Sequence, residues 1–263
     1  MVFGLSTLSL SVLGESVQEL QQDFLHRDGF DFTRSLFVYD EQVCTARNFV
    51  MAFSLFSSGS LEIARNVANA LLSSPLFQGD HFLRSFSDEG VDDTVVVHSN
   101  LWAVLVLIQQ GRIDLAKRVF SFLDARGFAS VDCKTGASKL FSDDLALAAV
   151  ASWFLGDREK ALEILSLLRK DFFDERKGLF CRSFGEEIFS TYKNTFCAMV
   201  LRMCGFGLEA DRVAESLVRE LQDPVDGLFV QTDQCSEKLL DNTLLALVAC
   251  GGKTVFDGLE VLG

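Results

Sequence analysis

The chain is short of proline, with only 2 among 263 residues. Proline removes a backbone donor and interrupts helices, so its scarcity suits long helices and excludes a Pro-rich linker. Basic charge is also in deficit: 24 Lys and Arg stand against 37 Asp and Glu, for a net charge of −13 and a pI near 4.7. Nucleic-acid binding depends on clustered Lys and Arg that displace counterions from phosphates, and no basic run is present. The same deficit argues against an anionic membrane surface as partner. The 7 cysteines are an odd number and form no CxxC pair. Cys197, Cys204 and Cys250 sit inside apolar runs, as reduced, buried thiols of a cytoplasmic protein would. No apolar run approaches the ~18 residues of a membrane span. Met1–Leu13 is apolar but has no basic flank and no small-residue cleavage site; Glu15 and Glu19 continue a helical pattern. It reads as a helix, not a signal peptide.

What the chain has is hydrophobic bulk, 49% of residues including 25 Phe, and a repeat. Five times a polar residue opens an apolar run that closes at glycine. The runs are Asn48 to Gly59, Asn100 to Gly111, Asp144 to Gly156, Asn194 to Gly205 and Asn242 to Gly251. After each of the first four glycines, Ala follows at the fifth position (Ala64, Ala116, Ala161, Ala210). Val or Ile follows at the eighth (Val67, Val119, Ile164, Val213), and Leu at the twelfth (Leu71, Leu123, Leu168, Leu217). Self-similarity at this interval marks a repeat architecture of helical hairpins.

The two helices of each hairpin differ. The first is apolar nearly all round, which predicts burial; the second carries charge on one face, which predicts one wet side. Inner helices are expected at 38–58, 92–110, 143–155, 190–204 and 240–250. Outer partners are expected near 60–73, 113–126, 157–170, 207–221 and 253–262, with an N-terminal helix over 6–26. Alternating buried and amphipathic layers without a linker predict one all-α domain, an α/α toroid spanning 1–263.

Turns rich in Asp and Gly precede the inner helices, as in Asp174–Ser183 and Asp223–Thr232. The unit Gln222-Asp-Pro-Val-Asp226-Gly227-Leu-Phe229, followed by Asp241-Asn-Thr-Leu-Leu-Ala, resembles the repeat of terpenoid cyclases and protein prenyltransferases. Gly90-Val-Asp92-Asp93-Thr94 is similar to the cyclase acid motif, with Gly90 where that motif has its first Asp. The resemblance implies that Asp92 protonates an alkene and that the ligand is isoprenoid-like. The Asp, Cys and His zinc set of the prenyltransferases is not recognisable, and neither a metal nor a cofactor is implied. Asp174–Ser183 equally resembles the turn of six-hairpin glycosidases, which implies paired carboxylates acting on a sugar.

If the inner helices run in parallel, their N-termini gather at one end, where free N–H groups and helix dipoles favour anionic groups. Counting back from each glycine puts Asn48, Asn100, Asp144, Asn194 and Asn242 at one level. Glu41 and Asp93 each lie seven residues before their Asn, two turns along the same face. Arg47, His98, Asp143, Tyr192, Lys193 and Asp241 flank the level. The catalytic candidates are Asp92, Asp93, Asp144, Glu41 and Asp241, because two suitably spaced carboxylates divide acid and base roles. The ligand-binding candidates are Asn48, Asn100, Asn194, Asn242, His98, Arg47 and Tyr192. Set against this, Asp144, Asn194 and Asn242 read as helix caps. Asn48 and Asn100 read as mid-helix amides that pair with neighbouring helices. The expected function is therefore a small-molecule site in an acidic, aromatic-lined cavity. The alternatives are a sugar-processing toroid and a non-catalytic scaffold whose centre is filled. Oligomeric state is not encoded legibly.

Overall fold

The computed structural model describes residues 29–131, 135–238 and 240–252, with the side chains of 240–242, 245 and 248 left aside. The expected N-terminal helix and the last outer helix lie outside the described residues. The chain forms two compact units, one running to Ala125 with Ser130–Ala137, the other made of Arg126–Ala129 with Ser138 onward.

The first unit holds two helical hairpins, α1 (Thr45–Ser57) with α2 (Leu61–Leu72) and α3 (Val97–Gln109) with α4 (Ile113–Asp124). Ahead of the inner helices α1 and α3 runs an antiparallel meander of β1 (Phe30–Asp31), β2 (Leu36–Tyr39), β3 (Gln42–Cys44), β4 (Ser85–Ser87) and β5 (Gly90–Asp92), paired in chain order. The inner helices therefore start later than 38 and 92. The residues before them are extended, with φ −103° and ψ 127° at Cys44 and φ −96° and ψ 115° at Val96. The reason lies in Val43 and in Thr94-Val95-Val96, β-branched residues that favour a pleated backbone over a helical one. The β3–β4 pairing (Val43 with Phe86, Cys44 with Ser85) places both helix starts beside one sheet.

The second unit holds α5 (Ser142–Phe154), α6 (Arg158–Phe172), α7 (Thr191–Met203), α8 (Gly207–Leu221) and α9 (Leu240–Cys250). Short two-stranded ribbons precede α7 and α9: β6 (Phe173–Asp174) with β7 (Leu179–Phe180), and β8 (Val230–Thr232) with β9 (Cys235–Lys238). The Asp-rich turns work through side chains. Asp174 Oδ1 accepts from the backbone N–H of Arg176 and of Lys177 at 2.8 and 3.1 Å, and Asp31 makes the same pair of bonds to Thr33 and Arg34. Such an Asx turn replaces the bonds that the reversing backbone cannot make.

The repeat read from sequence is the packing repeat. Of the twelve Ala, Val or Ile, and Leu positions after the glycines, none exceeds 3% exposure. They form the buried stripes of α2, α4, α6 and α8, each large side chain contributing about 1.5–3 kcal/mol. The hairpin glycines Gly59, Gly111, Gly156 and Gly205 all have φ between 73° and 89°, the left-handed stop that a Cβ would penalise. The inner helix α5 is buried all round, every residue but Trp153.

Candidate functional site

The repeated polar residue proves to be a backbone clamp. Asn100 is fully buried in the first turn of α3. Its Oδ1 accepts from Phe82 N at 2.7 Å, and its Nδ2 donates to Phe82 O at 2.9 Å and Val96 O at 3.0 Å. Asn48 makes the same three bonds to Phe37 and Cys44. Asn194 makes them to Phe180 and Ser190. In α9 the position falls on Thr243, whose hydroxyl accepts from Phe229 N at 3.0 Å. Each clamp holds the backbone of a buried Phe. A second tether comes from the first residue of the helix, which reaches the backbone ahead of the next inner helix. Thr45 Oγ1 donates to Leu83 O, Ser142 Oγ to Arg182 O and Thr191 Oγ1 to Val230 O.

These bonds correct the expected roles of the asparagines. Asn48 and Asn100 are not mid-helix, and Asn194 and Asp144 are not caps: the cap positions are Cys44, Val96, Phe141 and Ser190. The amides of Asn48, Asn100 and Asn194 are spent on backbone. Glu41 is not two turns above Asn48 on one helix but at the exposed tip of the β2–β3 hairpin. Asp93 is likewise off the helix, exposed between β5 and α3. Asp92 ends β5, where Oδ1 accepts from Thr94 N at 3.0 Å and Oδ2 lies 3.5 Å from Arg84 Nη1. Asp241 and Asn242 lie in the first turn of α9, with side chains outside the described atoms.

In the first unit, Arg47 and His98 occupy the first turns of α1 and α3. Arg47 stacks on Tyr39, and His98 Nε2 accepts from Trp102 Nε1 at 3.0 Å. That bond leaves the ring proton on Nδ1 in the neutral tautomer. Trp102 is 1% exposed and packs edge-on against Phe53, a core role.

In the second unit the first turn of α5 departs from the pattern. The clamp position is Leu145, which cannot make the bonds, and the two residues before it are carboxylates, Asp143 and Asp144, 4% and 2% exposed. Two negative charges in a first helical turn are favoured by the dipole, but burying them is costly without compensation. Compensation comes from α7: Lys193 Nζ is ion-paired with Asp143, and its ammonium also lies 4.5 Å from the Phe141 ring centroid. Tyr192, its neighbour, is half-buried and packs against Met199 and Ala249. Burial first, then the charges of Asp143 and Asp144, push its phenol well above the usual tyrosine range. It is therefore a proton-bearing donor at neutral pH. Burial and Asp143 push the Cys197 thiol up as well, so that it is no thiolate nucleophile. Of the expected site residues described in this unit, Asp144 and Tyr192 come together, with Asp143 and Lys193.

Beside this centre, Lys139 Nζ lies 2.5 Å from Glu186 Oε1, and Arg182 Nη2 lies 2.8 Å from Oε2. Hydrogen bonds from Lys139 and Arg182 lower the Glu186 carboxyl from 4.5 to about 2. A depressed folded pKa gives stability that is present above the unfolded value and lost as pH falls through the folded one. Glu186→Gln is expected to flatten the fall in stability between about pH 4.5 and 2, read from urea midpoints against pH.

No known protein family's sequence profile matches the chain, and no curated protein matches it in sequence. Solved structures do match in shape. A D-mannose isomerase superposes with a TM-score of 0.70 at 11% identity, covering 90% of this chain and 78% of that one. An alpha-amylase from Clostridium perfringens gives 0.66 at 11% identity, over 91% and 84%. A cellobiose 2-epimerase from Bacillus thermoamylovorans B4167 gives 0.63 at 13%, over 82% and 74%. None of these three is named as a terpenoid cyclase or prenyltransferase. The chain has the all-α, α/α-toroid fold.

Proposed function

We propose that this protein is a carbohydrate-processing enzyme whose chemistry lies at the first turns of α5 and α7. The observation that carries the reading is the break in the repeat at α5. Where Asn48, Asn100 and Asn194 are committed to backbone, α5 places Leu145 and devotes its first turn to two buried carboxylates. Buried carboxylates gathered in one first helical turn are concentrated where acid–base chemistry is done. In this reading Asp144 moves a proton to or from a sugar carbon or oxygen. Lys193 fixes Asp143, and the protonated Tyr192 phenol donates to a sugar oxygen. The sugar isomerase, epimerase and amylase that share the fold support the substrate class, although fold alone does not assign a reaction. The isoprenoid alternative has less support: its acid candidate, Asp92, ends strand β5 with its Oδ1 taken up by Thr94 N.

The test is incubation of the protein with a panel of aldoses, ketoses, reducing disaccharides and soluble glucans, followed by proton NMR of the anomeric region. New anomeric signals for at least one sugar are expected. A panel left wholly unchanged would remove the enzymatic reading and leave the non-catalytic scaffold.

A further inference from the structure

The tip of the β2–β3 hairpin carries a surface that the chemistry at α5 and α7 does not use. Its turn residues, Asp40 and Glu41, both have positive φ, at 49° and 63°. A two-residue turn with both central residues left-handed matches the twist of its strands, so the register of this hairpin is firmly set. That register puts Tyr39 directly across from Gln42. Tyr39 is 61% exposed, and Gln42 is exposed beside it. From the first turn of α1, Arg47 lays its guanidinium 4.8 Å from the Tyr39 ring centroid.

An aromatic ring left in water at a rigid hairpin tip, pinned by a cation on one face, has little freedom to lose when a ligand lands on the other. The rim is polar in both senses. Gln42 offers a donor and an acceptor, and Asp40 and Glu41 offer acceptors. A flat apolar face surrounded by mixed donors and acceptors complements a pyranose ring, with its C–H face on the aromatic and its hydroxyls on the rim. An anionic ligand would meet Asp40 and Glu41.

We propose that Tyr39, backed by Arg47 and flanked by Gln42, is a stacking platform for one pyranose unit of an oligosaccharide. The choice of occupant rests on the carbohydrate reading above and deepens it, extending the ligand class to chains of several sugar units. The experiment titrates the full-length protein with maltotetraose, cellotetraose and mannotetraose by saturation-transfer NMR, for the unmodified chain, Tyr39→Ala and Tyr39→Phe. Tyr39 is exposed, so both variants are expected to keep the parent's melting temperature. The unmodified protein is expected to bind at least one tetrasaccharide. Tyr39→Ala is expected to weaken that binding about threefold to tenfold, the scale of one aromatic contact, and Tyr39→Phe to retain it. Equal affinity of Tyr39→Ala and parent, or no tetrasaccharide binding by the parent, overturns the platform. Failure of the platform is separable from failure of the proposed chemistry. Sugar turnover without Tyr39-dependent binding sinks only the platform, and Tyr39-dependent binding without any turnover sinks only the chemistry.

Discussion

Asn100→Ala is expected to lower the melting temperature by on the order of 10 °C, more than loss of any single exposed side chain in the first unit. The substitution removes three hydrogen bonds made by a residue with no exposed surface. Two of them end on the N–H and C=O of Phe82, which is itself fully buried. Those groups would be left dry and unpaired, at about 1–3 kcal/mol each, and the cavity of the lost amide adds to the cost. A total of about 3–5 kcal/mol converts to the stated shift at about 2–4 °C per kcal/mol for a chain of this size. Asn100→Asp should be no milder, because it keeps the acceptor for Phe82 N, loses both donors and buries a charge. Differential scanning calorimetry decides. A shift of under about 2 °C would mean that water reaches the strand and that the clamp is ornamental.

Much of this fold was legible before any coordinates, and the illegible parts have identifiable causes. The hairpin glycines and the Ala, Val or Ile, and Leu series after them report side chains that pack at fixed helical spacing, and periodicity reads such spacing directly. The partner of each Asn was hidden because it lies across a loop of changing length. The clamped Phe precedes its partner by 11 residues at Asn48, 18 at Asn100 and 14 at Asn194 and Thr243. No fixed offset connects them, although a Phe ahead of every inner helix was the trace they left.

Counting depth from the glycine slipped in the last repeat, where α9 is 11 residues long against 13 for the other inner helices. Its left-handed glycine is Gly252, and Thr243, not Asn242, takes the clamp position. Counting upward from Asn48 and Asn100 failed for a different reason. A seven-residue step is a shared face only while the backbone stays helical, and Val43 and Thr94-Val95-Val96 end the helix first. For the candidate site, the sequence named Asp144 and Tyr192 among its candidates but set Asp143 and Lys193 only beside them, since an ion pair between residues 50 apart leaves no mark on spacing.

Asp144→Asn is expected to lower sugar turnover about 10²–10⁴-fold, the usual contribution of a positioned proton-transfer group, and to change the melting temperature by only a few degrees. The two carboxylates of α5 are distinguishable by what their loss would cost. Asp143 is buried against Lys193, and removing either partner strands a buried charge, at about 3–5 kcal/mol. Asp143→Asn should therefore lose stability and activity together and say little about chemistry. Asp144 lies one residue on, about 100° further round the helix. Asparagine preserves its size and one acceptor oxygen, so most of its contacts survive, and the lost attraction to the helix dipole adds about 0.3–1 kcal/mol. The discriminating measurement is the ratio of kcat for parent and variant on whichever sugar is turned over, taken beside the two melting curves. A large fall in kcat with a nearly unchanged melting curve assigns Asp144 to proton transfer. If kcat survives, or if it falls only in step with folded protein, the first turn of α5 is a structural charge cluster and the catalytic group must be sought elsewhere in the fold.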